Sequence, residues 1–182
     1  SRRGQTLRGN CTGRGRFSDA STMDRVTSPA TPLALALAVA QAARTRGGRA
    51  LVVGGFVRDR LFGHPSKDLD LEVFGIAGDE LPAMLGAIGR VEPVGRAFPV
   101  YKLGPIDVAL PRRESKSGRG HTAFAVQGDP HLSFAEAARR RDFTMNAISW
   151  DPLTDEYVDP FHGRADLEAR RLRVVDPRTF AD

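Results

Sequence analysis

The 182-residue chain sets 27 Lys and Arg against 22 Asp and Glu, a formal net charge of +5, and 41% of its residues are hydrophobic, enough for one core. Nothing in it approaches the ~20 consecutive apolar residues of a membrane span, and the single cysteine, Cys11, excludes an internal disulfide or a thiolate zinc site. His64, His121, His131 and His162 show no metal-ligand spacing, so a cytoplasmic enzyme without a membrane partner is the expectation.

Residues 1–22 carry Arg2, Arg3, Arg8, Arg14 and Arg16 against one acid, Asp19, which accounts for +4 of the chain's +5. With scarcely any apolar residues, this stretch reads as a disordered basic tail that need not be native, with Met23 a candidate start. The remainder is almost neutral, so the high isoelectric point is no argument for an RNA-binding face. Arginine outnumbers lysine 24 to 3, a bias that fits genomic composition better than phosphate binding. From Met23 onward, about 150 residues make one domain by size.

Residues 32–46 are rich in Ala and Leu and predict a helix, with Thr31 as cap and Gly47-Gly48 as stop. A secretory signal is the rival reading, but its apolar core runs only from Leu33 to Ala40 and Arg25 is balanced by Asp24. Ala50 to Val53 is a short apolar run ending at Gly54-Gly55; Phe56 to Phe62 is helix-compatible until Gly63, His64 and Pro65. Strand, tight turn and helix follow, and a helix starting after two glycines offers unpaired amides and a partial positive charge to an anion such as a triphosphate. Arg58 in the first turn opposes the helix dipole unless an anion offsets it. Asp59, an acid in that same turn, is adequately explained by the dipole.

Lys67 to Phe74 alternates polar and apolar residues, the period of a strand with one face buried. Asp68 and Asp70 then share a side, with Glu72 farther along it, and their carboxylates can converge on divalent cations as two-metal phosphoryl transfer requires. After a helix near 79–88, strands near 99–103 and 106–110 form a hairpin across Gly104-Pro105. Asp107, an acid among apolar neighbours in the second strand, is the candidate third carboxylate. Pro111 to Pro130 lacks a pattern and reads as a long loop. Ser133 and Glu136 make a capping-box pattern that opens a helix over 133–147. If helical geometry persists, Asp142 and Asn146 share a face fit for a ribose or base edge, and Arg141 can meet phosphate oxygens. A strand near 148–158 completes an α/β (α+β) mixture.

Three motifs in this order, Gly-Gly-x-Val-Arg-Asp at Gly54, Asp-x-Asp at Asp68, and Arg-Arg-Asp-Phe-Thr-x-Asn-Ala at Arg140, resemble the class II tRNA nucleotidyltransferases and bacterial poly(A) polymerases. The resemblance runs from about Ala50 to Asp182. It implies the polymerase-β-like nucleotidyltransferase fold, a small mixed sheet with flanking helices. It also implies that Asp68, Asp70 and Asp107 are the catalytic Mg²⁺ ligands and that Gly54, Gly55 and Arg58 meet the triphosphate. Arg141, Asp142 and Asn146 would belong to nucleotide binding. Asp159-Pro-Phe-His-Gly163-Arg-Ala-Asp166-Leu167 resembles the connector into the family's helical neck. The implied organisation is a head over 23–150, and a connector with the start of a truncated neck over 151–182. The segment that selects the base in this family would follow Val175-Asp176-Pro177-Arg178-Thr179-Phe180, and this chain stops at Asp182.

The implied activity is template-independent addition of nucleotides from ATP or CTP to an RNA 3′ end, with tRNA CCA addition first and poly(A) addition as the alternative. Two rivals differ in kind. Small-molecule nucleotidyltransferases share the glycine turn and Asp-x-Asp but give no reason for the Arg-Arg-Asp-x-x-x-Asn-Ala stretch. A silent nucleotide-binding or RNA-binding module would have no need to concentrate three acids.

Overall fold

The computed structural model describes residues 31–66, 68–95, 99–116 and 124–180. The basic tail, Met23, Cys11, Lys67 and His121 lie outside the described residues. Helix α1 (Pro32–Thr45) begins where the sequence places it: the Thr31 hydroxyl accepts from the Ala34 amide at 3.2 Å and Pro32 takes a first-turn position that lacks an N–H partner anyway. Its small apolar face, Ala36, Val39, Ala40 and Ala43, is buried against the sheet. Strand β1 (Arg49–Val53) then runs into Gly54, and α2 (Gly55–Phe62) follows directly.

Strand β2 (Leu69–Phe74), α3 (Glu80–Gly86), β3 (Val91–Val94), β4 (Val100–Leu103) and β5 (Ile106–Ala109) complete the first part of the sheet. Strands β8 (Ser149–Trp150) and β9 (Tyr157–Val158) extend it to seven strands in the order β3-β4-β5-β2-β1-β8-β9. Among the described residues only β2 and β5 pair in parallel; every other neighbouring pair is antiparallel, so the sheet is mixed. Its core joins α1, the middle strands and α3 through Leu69, Leu71, Val73, Leu81, Met84, Leu85, Ile106 and Val108. The fold class is the expected α/β mixture.

Four local expectations are corrected. The stretch 111–130 is not a loop: β6 (Arg112–Lys116) and β7 (Phe124–Gly128) form a separate antiparallel hairpin, with 117–123 outside the described residues. Arg-Arg-Glu-Ser-Lys carries no apolar alternation, so periodicity could not reveal it. The helix over 133–147 is much shorter. Here α4 (Phe134–Arg139) opens on the capping box of Ser133 and Glu136, and the chain is extended at Phe143 before a 3-10 turn over Thr144–Asn146. Pairing with a distant segment overrides helical propensity there: the Thr144 amide donates to Arg173 O at 2.9 Å and the Val175 amide to Asp142 O at 3.0 Å.

The strand near 148–158 is two short strands, β8 and β9, split by a turn in which the Asp151 carboxylate accepts from the Leu153 and Thr154 amides. Finally, β2 does not keep one wet face. Leu71 to Phe74 are buried on both sides, Glu72 included, because α1 covers one face and the arginines after α4 cover the other. The connector enters α5 (Gly163–Glu168), as expected of a loop leading into a helix.

Candidate active site

The register of β2 and β5 places Asp70 opposite Asp107 in a parallel pair, so both carboxylates leave the same face of strands ~4.8 Å apart. On the other side of β2, Asp70 is registered with Val53, the last residue of β1 before the glycine turn. Gly54 has φ +75° and ψ −145°, a conformation that side chains other than hydrogen rarely adopt. A Cβ built there would lie 3.9 Å from Asp70 Oδ2 and 4.0 Å from Arg141 Nη1; one at Gly55 would lie 3.5 Å from Arg58 Nη2. The turn therefore lies beside one acid and two arginines.

The electrostatics follow from this crowding. Burial of one side of Asp70, then the charge of Asp107, then those of Asp68 and Glu72, raise its pKa above the ordinary carboxylate range, while Arg141 opposes them. Asp107 is half-buried, and its Oδ1 accepts from Lys102 Nζ at 3.0 Å across the β4–β5 pair, a contact open to solvent. That hydrogen bond, with the charges of Asp107, Asp70 and Asp68, raises the Lys102 pKa. Asp68 is exposed immediately before β2 and acts on both groups through its charge. Among the described residues no three acids, histidines or cysteines stand close enough to chelate one ion together. Asp70 and Asp107 are the facing pair, with Asp68 beside them.

A cleft of about 210 Å³ opens over this pair, walled by Asp70, Glu72, Asp107, Arg112, Arg140 and Arg141. Burial and the neighbouring Arg140 lower the pKa of Arg141, whereas Glu72 and Asp70 support its charge. Glu72, Arg112, Arg140 and Lys102 were not singled out from the sequence as site residues. Glu72 had a signal in its place two residues after Asp70 on the same strand, and Arg140 in opening the Arg-Arg-Asp motif, whereas Arg112 lay in a stretch without pattern.

The remaining expected residues form a second group around α2. Arg58 donates through Nε and Nη2 to Asp59 Oδ1, at 2.9 and 2.7 Å, and through Nη1 to Asn146 Oδ1 at 3.1 Å. Asn146 Nδ2 in turn donates to Asp142 Oδ1 at 2.9 Å, and the Phe143 amide reaches the same oxygen at 2.7 Å. Asp59 thus offsets the arginine that opposes the α2 dipole. Asp142 and Asn146 meet as expected, through a 3-10 turn rather than along a helix. That turn rests on α5, where a Cβ at Gly163 would fall 2.1 Å from Thr144 O, and on Asp166, which accepts from Thr144 Oγ1 and Arg173 Nε, each at 2.7 Å.

A family described as the poly(A) polymerase head domain matches residues 50–173. The chain is similar to the multifunctional CCA protein of Xanthomonas oryzae pv. oryzae (strain MAFF 311018), 46% identical over 134 residues, covering 72% of this chain and 31% of that protein. It resembles the crystal structure of the Bacillus stearothermophilus CCA-adding enzyme in complex with CTP, at 30% identity and TM-score 0.60, covering 80% of this chain and 34% of that one. It also resembles a tRNA nucleotidyltransferase complexed with a primer tRNA and an incoming ATP analogue, at 31% identity and TM-score 0.58, covering 78% and 40%. The chain spans about a third of the length of the curated relative it matches.

Proposed function

Because the chain belongs to the poly(A) polymerase head-domain family, we propose that it carries the catalytic head of a template-independent RNA nucleotidyltransferase that builds the CCA end of tRNA from CTP and ATP. The observation that carries this reading is the registered pair Asp70 and Asp107 beside the Gly54 turn. Nucleotidyl transfer needs two carboxylates converging where a triphosphate can lie close to backbone.

The residues fit Mg²⁺. Asp70 and Asp107, with Asp68 alongside, present hard oxygen donors whose burial and mutual charge raise the Asp70 pKa, and a divalent cation relieves that excess of negative charge. Bound there, Mg²⁺ supplies a lowered pKa for an attacking 3′-hydroxyl and charge neutralisation for departing pyrophosphate. The chain's own residues do the rest. Gly54 and Gly55 let phosphates come against backbone, and Arg141 and Arg58 meet their oxygens. Asn146 and Asp142, already bonded to each other, hold the nucleoside. The head is read over 23–150 and the passage toward a helical neck over 151–182, with β9 of that passage still adding a strand to the head's sheet. The relatives named for CCA addition favour that product over a poly(A) tail. No helix among the described residues is long and apolar enough to cross a membrane, and the reading that goes with a tRNA acceptor is a cytoplasmic enzyme.

The test is to incubate the complete gene product with Mg²⁺, labelled CTP and ATP, and tRNA lacking its 3′ end. Stepwise label incorporation is expected. Failure with tRNA alongside transfer to a small-molecule acceptor would overturn the reading.

A further inference from the structure

Glu72 lies two residues beyond Asp70 on the same face of β2, yet where Asp70 opens to the cleft Glu72 is only 5% exposed. A carboxylate that deep needs partners. It has two: Glu72 Oε1 accepts from Arg140 Nη2 and, at 2.9 Å, from Arg141 Nη2. The guanidinium fork is planar, so fixing Nη2 of Arg141 on Glu72 also fixes where Nη1 points. Nη1 lies 4.0 Å from where a Cβ on Gly54 would stand, with Asp70 Oδ2 at 3.9 Å from that same position. Arg140 Nε is buried without a hydrogen-bond partner, so the hold on this side chain comes through Glu72. Arg112 lines the same cleft from β6. Arg140 and Arg112 both act on Arg141 through like charge, and Glu72 is the carboxylate bonded to Arg140 and Arg141.

We propose that Glu72 is a positioning residue for the nucleotide: it pins Arg140 and Arg141 as a rigid wall and aims Arg141 Nη1 at the Gly54 end of the cleft, where the phosphates of an incoming nucleoside triphosphate arrive. The inference rests on the nucleotidyltransferase reading above. Without the Glu72 carboxylate the two half-buried cations face each other, and Asp70 is the acid whose charge still acts on Arg141. The arginine then turns from the nucleotide toward a metal-holding carboxylate, while every catalytic acid is still in place.

The test compares the complete gene product with Glu72→Gln, Glu72→Asp and Arg141→Lys by calorimetric binding of a non-reactive ATP analogue, steady-state incorporation kinetics and melting temperature. With the fold retained, Glu72→Gln should weaken analogue binding and raise the nucleotide KM about tenfold, with a smaller fall in kcat. Glu72→Asp keeps the charge and should restore part of that loss. Arg141→Lys added to Glu72→Gln should cost less than the sum of the two, because both break the same wall. If Glu72→Gln does not fold, Glu72→Asp decides, since a side chain one methylene shorter cannot hold both arginines. Wild-type analogue affinity in a folded Glu72 variant, or additive effects, would overturn the inference and leave the nucleotidyltransferase reading standing. A wild-type protein that neither binds the analogue nor adds nucleotides would remove that reading and the inference with it.

Discussion

Asp70 shares its surroundings with Asp107, Asp68 and Glu72, and burial together with these charges raises its pKa. A carboxyl whose pKa is raised by folding binds its proton more tightly in the folded state, so ionised Asp70 destabilises the metal-free protein at neutral pH, and that cost shrinks as pH falls below its folded pKa and is gone below the ordinary aspartate value. Asp70→Asn should therefore abolish nucleotide incorporation while raising the stability of the metal-free protein, by at most about 1 kcal/mol because one side of Asp70 is open to water. Incorporation assays and urea unfolding in chelator check the two halves. The same shift predicts that Mg²⁺ binding, which needs Asp70 ionised, weakens on acidification at a higher pH than an ordinary aspartate would impose, which calorimetric Mg²⁺ titrations at stepped pH would show. Lys102 is the natural control. It faces Asp107 from an exposed position, and an ion pair of that kind contributes little to stability.

At the scale of elements, the loop from Arg140 to Asn146 owes its shape to what it rests on. The Thr144 and Val175 backbone bonds and the Asp166 carboxylate clasp it from the connector side, and Gly163 lets α5 come against Thr144 O. Gly163→Ala puts a Cβ 2.1 Å from that oxygen and 2.9 Å from Ile148 Cγ1. Backbone must move, so the substitution should destabilise the protein by about 1–3 kcal/mol and weaken nucleotide binding by shifting Asn146 off Arg58. Gly86 in α3 has open space where its Cβ would be, and Gly86→Ala should stabilise by about 0.5–1 kcal/mol without touching nucleotide affinity. Urea unfolding of both variants beside analogue titrations separates a site effect from a general glycine effect.

For the whole molecule, what could be read in advance follows from how local each cause is. The strand, glycine turn and helix around Gly54 were legible because turn residues and periodicity lie within a few positions of one another, and the acid strand was legible because Asp68 and Asp70 alternate with leucines. Glu72 was read only as a continuation of that polar face, since its burial depends on arginines far along the chain. The early end of α4 was hidden for the same reason, its cause being the pairing of Asp142 and Thr144 with residues 173–175. The core is built from aliphatic side chains on α1, α3 and the middle strands and does not include the acid pair. Stripping divalent ions with chelator should accordingly stop incorporation, leave the circular dichroism spectrum unchanged and lower the melting temperature only slightly; cooperative loss of structure on chelation would contradict this.

Strand β2 is fourth of seven, with three strands on either side, and β5 is its inner neighbour. Sheets loosen from their margins, so amide protons near the rims at β3 and β9 should trade with deuterium early, whereas those of Leu71 and Val108 should wait for global unfolding. Thermal breathing can thus unfasten the rims many times over while the two aspartates stay side by side, giving the chemistry a longevity that the periphery lacks.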